Sequence, residues 1–372
     1  MTGSGHSVCP LRSHNPNPAV IHLYLMSKGP RLSETPLSVL DLVPIQQGRT
    51  VADALANTRD LAQHAERWGY RRYWLAEHHN IAGVGSSATS VLIGYVAAHT
   101  SDIRVGSGGV MLPNHAPLVI AEQFGTLAEI YPGRIDLGLG RAPGTDHATM
   151  RALHRDINAA DDFPAQVAEL QALLDDAKAG QRLRAVPGSG TKVPIWLLGS
   201  SGFSAQLAGQ MGLPFAFAAH FSPDALLPAL ELYRRSFRAS EVLDRPYVMV
   251  GIQVVAADTD KRARYLATTP YLSFLNPIRN QPGPMLPPVE STEGMANALE
   301  DAAVRSRFSA AVIGGPESVR HQMEDLLAQT SADELMIVTG VYHHEDRLRS
   351  YEIVSELQRE SALVGPLRST EQ

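Results

Sequence analysis

Three clusters between residues 73 and 146 carry residue types that chemistry needs, and each follows a short β-branched or apolar run. Glu77-His78-His79 comes after Tyr73-Trp74-Leu75, and Ser107-Gly108-Gly109 after Ile103-Arg104-Val105. Gly140-Arg141-Ala142-Pro143-Gly144-Thr145-Asp146 follows Ile135-Asp136-Leu137. A histidine in such a place can act as a general acid or base near neutral pH, or as a metal ligand. A glycine pair lets a flat ring approach the main chain, and an arginine offers a fixed fork to a phosphate. A fourth cluster, Gly199-Ser200-Ser201-Gly202, stands between the run Pro194-Ile195-Trp196-Leu197-Leu198 and a helix. Backbone N–H groups at a helix start, with two hydroxyls beside them, suit an anion.

Each cluster also has a structural reading. The histidine pair can be a satisfied structural pair, the glycines an ordinary turn, and the serines mere helix caps. Metal binding by the histidines is disfavoured: no HxH or HExxH spacing occurs, and Cys9 is the single cysteine. His343-His344 is a similar pair near the end of the last strand, read as solvated or lining the mouth. The functional reading is favoured by convergence of four independent clusters on one rim.

That rim follows from the elements. Strands are predicted at 37–43, 70–75, 103–106, 134–139, 194–198, 213–218, 247–256 and 334–339. Helices are predicted at 50–68, 87–99, 117–130, 163–179, 202–211, 223–238, 316–329 and 347–363. Thr50 with Asp53 three residues on is a capping-box pattern, and Gly69 is a helix stop. Strand and helix alternating eight times predicts an α/β fold, a (β/α)8 TIM-type barrel. In such barrels ligands bind at the C-terminal ends of the strands, where all four clusters fall. Residues 268–295, rich in Pro, Gly and Asn, read as an insertion loop without regular structure. It is a candidate lid carrying Phe274, Leu275 and Arg279.

The chain reads as one barrel domain over 36–365. Residues 1–35 are expected to be a flexible extension, with Met26 as a natural start and a packed N-terminal arm as the rival; 366–372 form a tail. A 372-residue chain, 44% hydrophobic and 19% charged, has the composition of a globular protein with a large core. Its net charge of -6 argues against a nucleic-acid partner. No apolar run approaches the roughly 18 residues that span a bilayer. The lone cysteine fits a reducing cytoplasm.

Trp74-Leu75-Ala76-Glu77-His78-His79, with VGSGGVMLPNHAPLVIAEQFGTLAEIYPGRIDLGLGRAPGTD from Val105 to Asp146, resembles the bacterial luciferase-like flavin monooxygenases. PIWLLGSSGFSAQLAGQMGLP from Pro194 to Pro214 is similar to a second block of that family, and the likeness runs over about 36–363. The resemblance implies reduced FMN supplied by a separate reductase, or the deazaflavin F420 in a sister branch. His78 matches the histidine at the catalytic mouth, and Gly108-Gly109 the place of a non-proline cis peptide beneath the flavin, with Ser107 beside them expected to bind the cofactor. Arg141 matches the flavin-phosphate arginine, and Ser200-Ser201-Gly202 other phosphate contacts. Gly140 stands where luciferases carry a reactive cysteine, so the chain looks closer to the non-luminous, alkanal monooxygenase-like group.

The expected activity is oxidation of a small organic substrate by reduced FMN and O2, in a homodimer or larger assembly. The rivals are an F420-dependent oxidoreductase moving hydride, a non-catalytic flavin-binding protein, and a metal-dependent barrel hydrolase using the histidine pair.

Overall fold

The computed structural model describes residues 30–142, 146–155 and 160–363. Eight parallel strands close a barrel: β1 (Leu37–Asp41), β2 (Arg72–Leu75), β3 (Arg104–Met111), β4 (Ile135–Gly140), β5 (Ile195–Gly199), β6 (Phe215–Ala218), β7 (Val248–Ala256) and β9 (Glu334–Val338). Closure comes where β7 pairs with β9 and β9 with β1. A short extra strand, β8 (Val312–Gly314), runs along the far half of β7. It went unread because a three-residue strand leaves no periodicity, and it pairs only because β7, at nine residues, outreaches the barrel.

The helices behave largely as their patterns dictate. In α1 (Val51–Trp68) the Thr50 side chain accepts from the Asp53 N–H, and the Asp53 carboxylate accepts from the Thr50 N–H, while Gly69 closes the helix at φ 87°. Further helices are α2 (Thr89–Ala97), α3 (Pro117–Ile130), α4 (His147–Ala152), α5 (Phe163–Leu174), α6 (Gly202–Met211) and α7 (Leu226–Ser236). Then come α8 (Asp260–Leu266), α9 (Thr268–Ile278), α10 (Ala298–Arg307), α11 (Pro316–Thr330) and α12 (His344–Leu363). The α5 helix stops five residues before the expected end because the Leu174 carbonyl accepts from the Gly190 and Lys192 N–H groups.

One expectation is overturned. The stretch 268–295 is not without regular structure: its first part is α9, with Thr269, Pro270 and Leu275 buried. Its proline at 277 removes one backbone donor in the last turn, and the helix ends one residue later at Ile278. Arg279, named as part of the candidate lid, caps that helix and pairs with Glu300 at 2.8 Å.

The expected N-terminal extension lies mostly outside the described residues, as does the tail at 366–372. Its described end forms a 3₁₀ turn at Leu32–Glu34 whose Leu32 is fully buried. Among the described residues, no helix is long and apolar enough to cross a membrane.

Alternation along the strands sorts the interior. In β2, Tyr73 and Leu75 face the helices, whereas Arg72 and Trp74 face inward. The floor is charged: Arg72 holds Asp136 at 2.7 Å and Glu334 at 3.0 Å, and the Tyr247 hydroxyl donates to Glu334 at 2.9 Å. Above it lie Leu40, Trp74, Trp196, Met249 and Met336, with the Trp74 and Trp196 rings edge-to-face at 5.3 Å. This apolar layer is the bottom of the space that opens at the C-terminal rim.

Candidate functional site

At that rim is a cavity of about 440 Å³, within the range of small-molecule sites. Four successive strand ends bring the expected residues to it. His78 follows β2, Gly108 and Gly109 lie in β3, Gly140 ends β4 with Arg141 next to it, and Ser200 and Ser201 follow β5; all line the cavity. Ser107 and Gly202 do not. The buried Ser107 hydroxyl donates to the Gly138 carbonyl at 2.8 Å, and Gly202 is the first residue of α6.

The glycine pair forms one wall. The Gly108–Gly109 peptide is cis, and the β3–β4 register shifts between Ser107 and Val110. A Cβ on Gly108 would lie 2.5 Å from the Leu40 side chain, and one on Gly109 would lie 2.7 Å from the Gly138 carbonyl oxygen. Only bare backbone fits here, leaving a surface that a flat ring can approach.

An anion cradle shares the cavity. Ser201, the residue before α6, is extended at φ -150° and its side chain makes no capping bond. The first-turn N–H groups of α6 thus lack a side-chain cap and suit an incoming anion. Arg141 stacks on Phe203 of the same helix, 4.0 Å from the ring centre. A relay behind the wall fixes the Arg141 backbone. Arg155 donates to the Arg141 carbonyl at 3.0 Å and to the Asn114 side-chain oxygen at 2.8 Å, and Asn114 donates to Glu77 at 3.2 Å.

The Glu77-His78-His79 cluster divides its work. Glu77 is 1% exposed; His79 Nε2 lies 2.9 Å from its carboxylate, as does His115 Nε2, and the Met111 N–H donates to it at 3.0 Å. Burial works to raise its pKa, but the bonds and charge of His115, with His79 and the Met111 N–H, outweigh it and hold the carboxyl below its usual range. Glu77 and His79 thereby hold the loop, and His78 lines the cavity. The second pair, His343-His344, lines neither this cavity nor the next. His344 Nε2 instead meets Asp60 at 2.8 Å, tying α12 to α1. Among the described residues, no three metal-binding side chains converge.

Sequence reading passed over His220, two residues beyond β6 and lining the same cavity. Its Nδ1 lies 3.2 Å from the Gly251 carbonyl. Burial, aided by the charges of Arg307 and His78, pushes its pKa down to about 4 against the raising effect of the Gly251 bond. The rule that found the other clusters, a polar residue just after an apolar run, would have found it after Phe215-Ala216-Phe217-Ala218-Ala219. A second cavity of about 880 Å³ adjoins the first and shares Leu42, His220, Phe221 and Ser222 with it. Its outer wall comes from α9 and α10.

The model of the luciferase-like monooxygenase family matches residues 35–334. The chain is 57% identical over 325 residues to the protein YvbT of Bacillus subtilis (strain 168), covering 87% of this chain and 97% of that one. It is 49% identical over 324 residues to a luciferase-like monooxygenase of Escherichia coli (strain K12), again covering 87% and 97%. Among solved structures, apo-MsnO8 superposes with a TM-score of 0.77 at 32% identity, covering 87% of this chain and 98% of that one. Two more distant structures share the fold. The oxygenating constituent of 3,6-diketocamphane monooxygenase from Pseudomonas putida, solved with FMN, has a TM-score of 0.67 at 20% identity, covering 87% and 97%. An F420-dependent secondary alcohol dehydrogenase has a TM-score of 0.63 at 14% identity, covering 88% and 99%.

Proposed function

Because the chain belongs to the luciferase-like monooxygenase family, we propose that it is an FMN-dependent monooxygenase oxidising a small organic substrate. The observation that carries this reading is the pairing, in one cavity, of the bare Gly108–Gly109 wall with the cradle of Arg141, Ser200, Ser201 and the uncapped start of α6. The donor set suits FMN: a flat ring needs a surface without side chains, and a phosphate needs N–H donors and a guanidinium.

When bound, reduced FMN would activate O2, so that one oxygen atom enters the substrate, the other leaves as water, and FMN is released oxidised. The chain's own residues bind, orient and exclude water. Arg141, Ser200 and Ser201 would hold the phosphate, while Gly108 and Gly109 admit the ring. Trp74, Met249 and Met336 close the cavity from below, away from bulk water. His78, exposed to the cavity, would give or take a proton through its imidazole nitrogen. His220, held neutral near pH 7, would offer a hydrogen bond and not a positive charge there. The same reading has a separate flavin reductase supplying the reduced cofactor, a cytoplasmic location and a homodimer or larger assembly.

The test is an anaerobic titration with reduced FMN, riboflavin and F420, followed by turnover under ¹⁸O2 with a panel of aldehydes, ketones and thioethers. Tighter binding of FMN than of the other two, with one labelled oxygen in the product, is expected. Preference for F420, or product without label, would overturn the reading in favour of hydride transfer.

A further inference from the structure

We propose that the second cavity seats the organic substrate and selects one carrying a single carboxylate, which meets Arg307 while an apolar body extends toward His220. This inference rests on the flavin reading above, because the two cavities share Leu42, His220, Phe221 and Ser222 and a molecule in one reaches the edge of the other.

Arg307 is the last residue of α10 and stands on the cavity wall. Its guanidinium carbon lies 4.5 Å from the Phe221 ring centre and 5.6 Å from that of Phe274. Other arginines are neutralised: Arg279 by Glu300, Arg262 by Asp346 and Arg320 by Glu360. Arg307 has no hydrogen bond or ion pair to a described residue, and burial alone acts on its charge, lowering its pKa without a compensating carboxylate. A half-buried cation between two aromatic faces is costly unless an anion completes it. Arginine suits such a post, since its plane stacks on rings while the edge of its fork stays open to two carboxylate oxygens.

The rest of the wall defines the other end of the ligand. Phe274, Ile278, Met285 and Val338 are apolar and leave room for an aliphatic or aromatic body. Asp224 also faces the cavity, its carboxylate accepting from the Ser306 hydroxyl at 2.7 Å. A second negative charge on the ligand would be opposed there, which favours a monoanion. The anion cradle of the first cavity already suits a phosphate, so Arg307 is an additional cation on the substrate side.

The probes are straight-chain monocarboxylates of four to ten carbons and their primary amides, titrated calorimetrically into flavin-free protein. Wild type is expected to bind the best carboxylate at least about tenfold tighter than its amide, the usual worth of a charge-assisted bond. Arg307→Lys should keep part of that preference and Arg307→Met should lose it. Equal binding of acid and amide, binding of neither, or a preference that survives in Arg307→Met would overturn the proposal. So would a loss of FMN relative to riboflavin in Arg307→Met, which would move Arg307 to the phosphate. If Arg307→Met does not fold, the wild-type pair and Arg307→Lys still decide. The carboxylate preference is read without flavin and the FMN titration without carboxylate, so failure of either reading is seen separately.

Discussion

The Arg141 guanidinium lies 4.0 Å from the ring centre of Phe203, so the residue just past β4 is stacked on the second residue of α6. The stack brings the side-chain cation and the uncapped helix start together, two features that are 60 residues apart in the chain. It also leaves the edges of the guanidinium open, because stacking uses the face.

Arg141→Ala is therefore expected to weaken FMN by about 1.5–3 kcal/mol, the worth of a charge-assisted contact, and to leave riboflavin almost unchanged. Phe203→Ala should weaken FMN by less, about 0.5–1 kcal/mol, since it removes only the stacking partner. Fluorescence titration of both flavins with both variants checks this. Equal losses for FMN and riboflavin would remove Arg141 from the phosphate.

The glycine wall predicts an asymmetry. A methyl at 108 meets the end of the Leu40 side chain, which can turn away, whereas a methyl at 109 meets the Gly138 carbonyl, which cannot move without disturbing β4. Gly109→Ala should cost about 1–3 kcal/mol of stability by overpacking, and Gly108→Ala less. Thermal unfolding of the two variants measures the difference. A lower melting temperature for Gly108→Ala than for Gly109→Ala would contradict the packing described.

Much of this architecture was legible before any coordinates. Thr50, Asp53 and Gly69 bound α1 because capping is local chemistry, carried within a few residues. The eight barrel strands announced themselves as apolar runs because both of their faces are buried. What escaped was set by tertiary partners. The strand β8 exists only beside an over-long β7, and α9 is held by burying Pro270 and Leu275 among turn-forming residues. The division of labour in Glu77-His78-His79 needed His115, 38 positions after Glu77, to come back to its carboxylate. Arg307 gave no signal at all, since an arginine at a helix end is ordinarily a solvated charge.

The buried His220 predicts a pH dependence. Its folded-state pKa of about 4 is below the ordinary histidine value of 6.5, so the unfolded chain binds its proton first as pH falls. Stability contributed by neutral His220 is present above about pH 6.5 and is lost progressively down to about pH 4, by at most about 3 kcal/mol. Urea unfolding at pH 7.5, 6, 5 and 4.5 should show this fall, reduced in His220→Gln. Part of the slope should persist in that variant, because burial also lowers the pKa of His344. An unchanged slope in His220→Gln would show that the imidazole is not held neutral.

His78 is expected to serve the reaction and not the fold. Glu77 and His79 already hold the loop with Met111, Asn114 and His115, so removing the His78 ring should leave that scaffold standing. His78→Ala should keep its melting temperature within a few degrees and bind FMN nearly as wild type does. Its turnover with reduced FMN and O2 should fall roughly 10²–10⁴-fold, the usual contribution of a general acid or base. His79→Ala should behave oppositely: it strips a partner from the buried Glu77 and should lower the melting temperature before it lowers the rate per folded molecule. Measuring product, hydrogen peroxide release and melting temperature on both variants separates the two roles. Normal product yield from His78→Ala, or unfolding of that variant, would assign His78 to the scaffold and return proton handling to another group at the rim.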